Sequence, residues 1–179
     1  MRRIGKVGVT ILVLAISVVL DQITKAVARA TLQPSLPVSV LNNFIRLDYV
    51  ENTGAFMGMS ANWPSAVRFT ILIIVAALIV VILLSFTVRS RLLNMAQLIG
   101  MSLIVAGGLG NLIDRIFRNG SVTGFVSVGL PTIRTGMFNL AHVLVVVGAA
   151  VLILYTPTDG AFGFIDGRYD EANSRIRRK

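Results

Sequence analysis

The chain has 179 residues, 55% of them hydrophobic and only 14% charged, and its mean hydropathy of +0.80 leaves too little polar surface to cover a soluble globule, so lipid must cover the rest. With no cysteine and a single histidine, His142, structural disulfides and thiolate metal sites are excluded, and no metal or other cofactor is expected. The net charge of +9 would suggest nucleic acid in a soluble domain, but basic residues crowd both ends; anionic lipid headgroups are the partner that fits, and nucleic acid is not expected.

In chain order, Val7 to Leu20 is apolar up to Asp21, and continuing to Ala30 gives a stretch long enough to span. Ala26-Val27-Ala28 resembles a signal-peptidase cleavage site, but Asp21 and Lys25 interrupt the stretch where a signal peptide stays apolar or small, so a retained helix is expected. The segment 31–68 alternates apolar residues with Pro34, Pro37, Gly54 and Gly58, which suggests short strands and turns. Phe69 to Val88 is uncharged between Arg68 and Arg89, Leu92 to Ile113 is uncharged up to Asp114-Arg115, and Phe138 to Tyr155 is apolar apart from Asn139 and His142 near its start. Each run approaches the roughly 20 residues that cross the hydrocarbon core. The expected architecture is an all-α polytopic membrane protein with four transmembrane helices in residues 1–156, outer loops at 31–68 and 114–137, and a basic tail at 157–179. No internal repeat is evident.

Arg2, Arg3 and Lys6 precede the first span, Arg89 and Arg91 fill the turn between the second and third, and Arg168, Arg175, Arg177, Arg178 and Lys179 follow the fourth. The positive-inside rule puts these segments, and hence both termini, in the cytoplasm. The longer loops then face outward.

Ionisable residues within spans are costly and need a reason. Asp21 and Lys25, four apart, share one helix face and can pair. Asn111 and Asp114, and Asn139 and His142, are each three apart at the outward ends of the third and fourth spans. Three helices thus bring polar groups to one depth, where Asn52 of the first outer loop could join them. A single pair could equally be interhelical glue or a headgroup contact; convergence of three favours a site. The run Ala106-Gly107-Gly108 with Gly110 fits close helix packing just below that layer.

Four ordered motifs carry a resemblance to the lipoprotein signal peptidase (signal peptidase II) family. They are Asp21-Gln22-Ile23-Thr24-Lys25; Glu51-Asn52-Thr53-Gly54-Ala55; Gly107 to Arg115 with Gly120 and Val122 at the family distance; and Phe138-Asn139-Leu140-Ala141. The resemblance runs from about Val7 to Tyr155. It implies a small outward-facing β layer, an amphipathic outer helix lying on the membrane, a bacterial cytoplasmic (inner) membrane location, and site roles for Asp21, Lys25, Asn52, Gly54, Asn111, Asp114, Arg115 and Asn139. Family members are aspartyl peptidases with one acid in a Val-x-Asp-Phe segment and one in an Asn-x-Ala-Asp segment. Here those segments read Val122-Thr123-Gly124-Phe125 and Asn139-Leu140-Ala141-His142, and Phe56 and Met57 also depart from the usual Ala and Phe. The chemistry needs two carboxylates sharing a proton, and Gly124 and His142 do not supply them. Asp114 sits beside Arg115 in a motif that active members also carry, which makes its role structural. His142 reads as a hydrogen-bonded residue at a helix start rather than as a ligand.

The expected function is therefore a non-catalytic family member that keeps a membrane-embedded groove for a lipidated peptide, a lipoprotein or a peptide antibiotic, or that docks to another membrane protein. The alternative is an active lipoprotein signal peptidase working through an unorthodox site. A small lipid or solute transporter is disfavoured because the spans lack paired broken helices.

Overall fold

The computed structural model describes residues 3–53, 64–130 and 132–155. The basic tail and Gly54, Phe56 and Met57 of the second motif lie outside them. Helix α1 covers Arg3–Leu32. It stops two residues before Pro34, where Ser35 turns back: its amide donates to Leu32 O at 3.1 Å and its hydroxyl to Thr31 O at 2.7 Å. Strands β1 (Val38–Val40) and β2 (Ile45–Asn52) follow, then α2 (Ser65–Arg89), entered from Pro64. Helix α3 is Met95–Phe117, β3 is Val122–Val128 and α4 is Leu140–Tyr155.

Three of these helices are long and apolar enough to cross a membrane, Ile4–Leu32, Phe69–Arg89 and Met95–Phe117, while α4 is a shorter apolar helix. Three boundaries in the third and fourth helices differ from the hydropathy reading. The third span starts at Met95 rather than Leu92 because Asn94 caps it: its Oδ1 accepts the Gln97 amide at 2.9 Å and Gln97 Oε1 accepts the Asn94 amide at 3.0 Å. That helix also runs through Asp114-Arg115 to Phe117 instead of ending there, since the Asp114 charge is matched inside the protein and need not reach water. The fourth helix starts at Leu140, two residues later than expected, because Phe138 is committed to the sheet: its amide donates to Val126 O at 2.8 Å, and its carbonyl accepts Phe125 N at 2.9 Å and Val126 N at 3.1 Å.

The sheet is antiparallel with order β1-β2-β3. Val50, Glu51 and Asn52 face Gly124, Thr123 and Val122, with an irregularity between Leu47 and Val50. The described residues of the outer segments form strands and turns and contain no amphipathic helix; residues 54–63 lie outside the description.

Helix α3 is the hub and packs against α1, α2 and α4. Its glycines explain how. A Cβ on Gly110 would stand 2.5 Å from Asp21 Oδ2 of α1, one on Gly108 would stand 3.0 Å from Val80 of α2, and one on Gly107 would collide with the Ala141 carbonyl of α4. The small residues therefore admit three partners on three faces. At the other end of the bundle Lys6 Nζ donates to Ser90 O and Leu93 O, both at 3.1 Å, tying α1 to the α2–α3 turn.

Candidate functional site

One buried polar layer joins α1, α3, α4 and β3, and Lys25 is its centre. The spacing of four places Asp21 and Lys25 on the same face of α1, and Lys25 Nζ lies 2.7 Å from Asp21 Oδ2 and 3.2 Å from Asp114 Oδ2, all three side chains being 0% exposed. The ammonium also donates to Asn111 Oδ1 at 3.1 Å and to Gly110 O at 3.3 Å. Two carboxylates around one ammonium leave a surplus negative charge, and Arg118 Nε, 3.5 Å from Asp114 Oδ1, supplies the second cation. Such charges are tolerated away from water only when paired and fully hydrogen-bonded.

Each carboxylate also fixes a backbone element. Asp21 Oδ1 accepts the Ala141 amide at 2.9 Å, which puts a negative charge at the N-terminal end of α4, where the helix dipole favours it. Asp114 Oδ2 accepts the Thr123 amide at 2.9 Å and so pins the start of β3 to α3. Asn139 Nδ2 donates to Thr123 O at 2.6 Å and to Asn111 Oδ1 at 3.1 Å. Its Oδ1 accepts the His142 amide at 3.1 Å as an N-cap does.

Of the residues expected at the site, Asp21, Lys25, Asn111, Asp114 and Asn139 thus meet in one network. Asn52 stands at the exposed end of β2, opposite Val122. Arg115 is half-buried beside the layer, and its Nε has no hydrogen-bond partner. His142 is exposed at the first turn of α4, with Nδ1 2.7 Å from Asn139 Oδ1. An amide oxygen only accepts, so the Nδ1 proton lies between them and Nε2 is the position left for base chemistry in the neutral ring. Gly124 lies on β3 beside the Phe125–Phe138 bond that joins β3 to the approach of α4, and a Cβ there would stand 3.1 Å from both Cβ and O of Met137.

Gln22, Arg118 and Thr123 were not singled out from the sequence. Gln22 Nε2 donates to Asp21 Oδ2 at 3.2 Å, Gly110 O at 3.1 Å and Asp114 Oδ1 at 3.4 Å. Its adjacency to Asp21 and its polarity within a span were the available signal. Thr123 acts through its amide and carbonyl, which no side-chain reading reveals.

The described acids are Asp21, Asp48, Glu51 and Asp114. Asp48 pairs with Arg46 at 3.1 Å, and Glu51 accepts the Tyr49 hydroxyl at 2.6 Å. Glu51 pairs across the sheet with Thr123, and neighbouring strand residues alternate faces, so Glu51 lies on the face opposite Gly124.

Residues 13–157 match the model of the family described as Signal peptidase (SPase) II. The lipoprotein signal peptidase of Chlorobium phaeobacteroides (strain BS1) is 36% identical over 150 residues, covering 79% of this chain and 91% of that protein. The one from Clostridium novyi (strain NT) is 31% identical over 151 residues, covering 84% and 98%. Two solved structures of a bacterial membrane enzyme, determined by the in meso method at 2.3 and 1.9 Å, superpose with TM-scores of 0.72 and 0.71 at 26% identity; they cover 86% and 85% of this chain and 90% and 94% of those chains. The architecture is that of a helical membrane protein with a small antiparallel sheet set on one end of its bundle. The chain belongs to the signal peptidase II family.

Proposed function

We propose that this chain is a non-cleaving member of the family that binds a lipidated peptide or lipoprotein at the membrane. The observation that carries the reading is the state of its carboxylates. Asp21 and Asp114 are both held by Lys25 and by backbone amides, Glu51 faces away from Gly124, and Gly124 and His142 occupy the positions where the family resemblance places the two acids. Among the described acids, none is left to form a proton-sharing pair at those positions. Arg115, Asn52 and the Gly124–Met137 strand region are then the ligand-facing surroundings. Topologically, we place four spans in a bacterial inner membrane with both termini cytoplasmic, as the flanking basic residues indicate. A reporter fused at Lys179 is expected to read the cytoplasm and one inserted within 34–37 the outside; the reverse pattern would overturn the orientation.

The second reading is an active lipoprotein signal peptidase cleaving through an unorthodox site, with His142 Nε2 as base. Relatives named lipoprotein signal peptidase, matched over most of their length, favour it more directly than they favour the first. One assay separates the two. Purified protein in detergent, given a diacylglyceryl-modified prolipoprotein with a fluorescent tag, is expected to retain the tag by co-purification and to release no mature product above an empty-membrane control. Release of product would establish the second reading; neither retention nor release would reject both.

A further inference from the structure

We infer that the groove receives the free carboxylate at the outward end of an apolar peptide, the end that hydrolysis leaves behind, and that Arg115 holds it. This rests on the non-cleaving reading above and names a ligand class for it. Charge balance leaves Arg115 alone. The acids among the described residues are Asp21, Asp48, Glu51 and Asp114. Asp21 and Asp114 are matched by Lys25 and Arg118, at 2.7, 3.2 and 3.5 Å. Asp48 is matched by Arg46, and Glu51 lies on the sheet face opposite Gly124. The Arg115 guanidinium enters no ion pair among the described residues, and its Nε is buried without a hydrogen-bond partner. Arginine stays protonated in proteins, and a charge held partly out of water calls for a counter-ion.

Its place in the fold fits that use. Arg115 stands four residues beyond Asn111, on the same face of α3 and one turn nearer the sheet. Asn111 Oδ1 accepts from Asn139 Nδ2 at 3.1 Å, and Asn139 in turn caps the first turn of α4 at His142. The charges that act on the His142 ring are those of Lys25, Arg115 and Asp21, and Lys25 and Asp21 neutralise each other as a pair. In the family resemblance, positions 124 and 142 hold the acids that act on the scissile bond, and their negative charge would repel a carboxylate formed there. Gly124 and His142 bring no such charge. Arg115 offers instead a planar fork of donors that a carboxylate fits with two parallel hydrogen bonds. A groove of this charge suits the apolar peptide released by a hydrolase, so an active peptidase acting on the same precursor must supply the ligand.

Two synthetic peptides of one sequence provide the test. Each has a labelled basic N-terminal end, an apolar segment of roughly 12 residues and a small-residue C-terminus; one ends in a free carboxylate, the other in a carboxamide. With the full-length protein in phosphatidylcholine nanodiscs, fluorescence anisotropy is expected to show the carboxylate form binding about 10-fold tighter, as one charge-assisted contact provides. Arg115→Gln should remove the difference by weakening the carboxylate form alone, and Arg115→Lys should restore part of it. Arg46→Gln, the same loss of charge on the outer sheet, should leave it intact. Equal affinities on the unmodified protein would overturn the inference while leaving the non-cleaving reading in place, and this comparison decides even if the Arg115 variants fold poorly. Failure to bind either peptide overturns the inference; failure to retain the tagged prolipoprotein as well sinks both. A preference that survives Arg115→Gln would remove Arg115 from the role. A preference abolished by soluble short-chain phosphatidylglycerol, but not by short-chain phosphatidylcholine, would overturn the inference by giving Arg115 to a lipid phosphate.

Discussion

Lys25→Met is expected to be the most damaging single substitution in the chain. It removes the ammonium that lies between Asp21 and Asp114 and leaves two fully buried carboxylates facing each other. Breaking a buried ion pair from one side costs about 3–5 kcal/mol, because the abandoned charge keeps its desolvation penalty. Against a typical total stability of about 5–15 kcal/mol, that should cut the yield of folded protein severely and lower the melting midpoint by roughly 10 °C. Asp21→Leu with Lys25→Met should cost less than the two single changes added together, since the groups share one interaction. Asp114 would still lack its ammonium in that double variant, so recovery should be incomplete. Thermal melts of the detergent-purified protein provide the check. A Lys25→Met midpoint within about 2 °C of the parent would mean that the carboxylates are held by their backbone donors alone.

Much of this layer was legible because helix spacing is a geometric constraint. Asp21 with Lys25, and Asn111 with Asp114, had to share faces, and the Gly107–Gly110 run announced close neighbours for α3. The end of the third span was not legible in the same way. Hydropathy treats Asp114-Arg115 as a stop, yet Asp114 is 0% exposed because Lys25, Arg118 and the Thr123 amide meet its charge. Those partners lie on other elements or beyond the span. The same limit hid Thr123, whose contribution is main-chain. In the sequence, glycine at 124 stands as the loss of an acid. The structure adds a packing consequence, since the strand there lies so close to Met137 that any side chain must displace it.

That closeness shapes the outcome expected from restoring the acids. Gly124→Asp alone and His142→Asp alone should both remain without cleavage of a diacylglyceryl-modified prolipoprotein, because each supplies one of two roles that must be filled together, and groups acting as a unit are strongly non-additive. The double variant is expected to cleave slowly. Position 142 is already exposed at the first turn of α4. Position 124 is the harder one: its new Cβ would stand 3.1 Å from Cβ and O of Met137, so the segment before α4 must yield by a few tenths of an ångström. Because misplacement by about 1 Å can cost roughly 100-fold in rate, cleavage should fall at least that far below an intact family member. Adding Met137→Gly removes the crowding Cβ and should raise the rate of the double variant while leaving both single variants silent. The measurement is the appearance of mature lipoprotein by gel shift, with binding of the same substrate recorded in parallel. A double variant that still binds yet stays silent even with Met137→Gly would place the two positions too far apart to share a proton. Cleavage by the unmodified protein would overturn the non-cleaving reading itself and direct attention to Nε2 of His142.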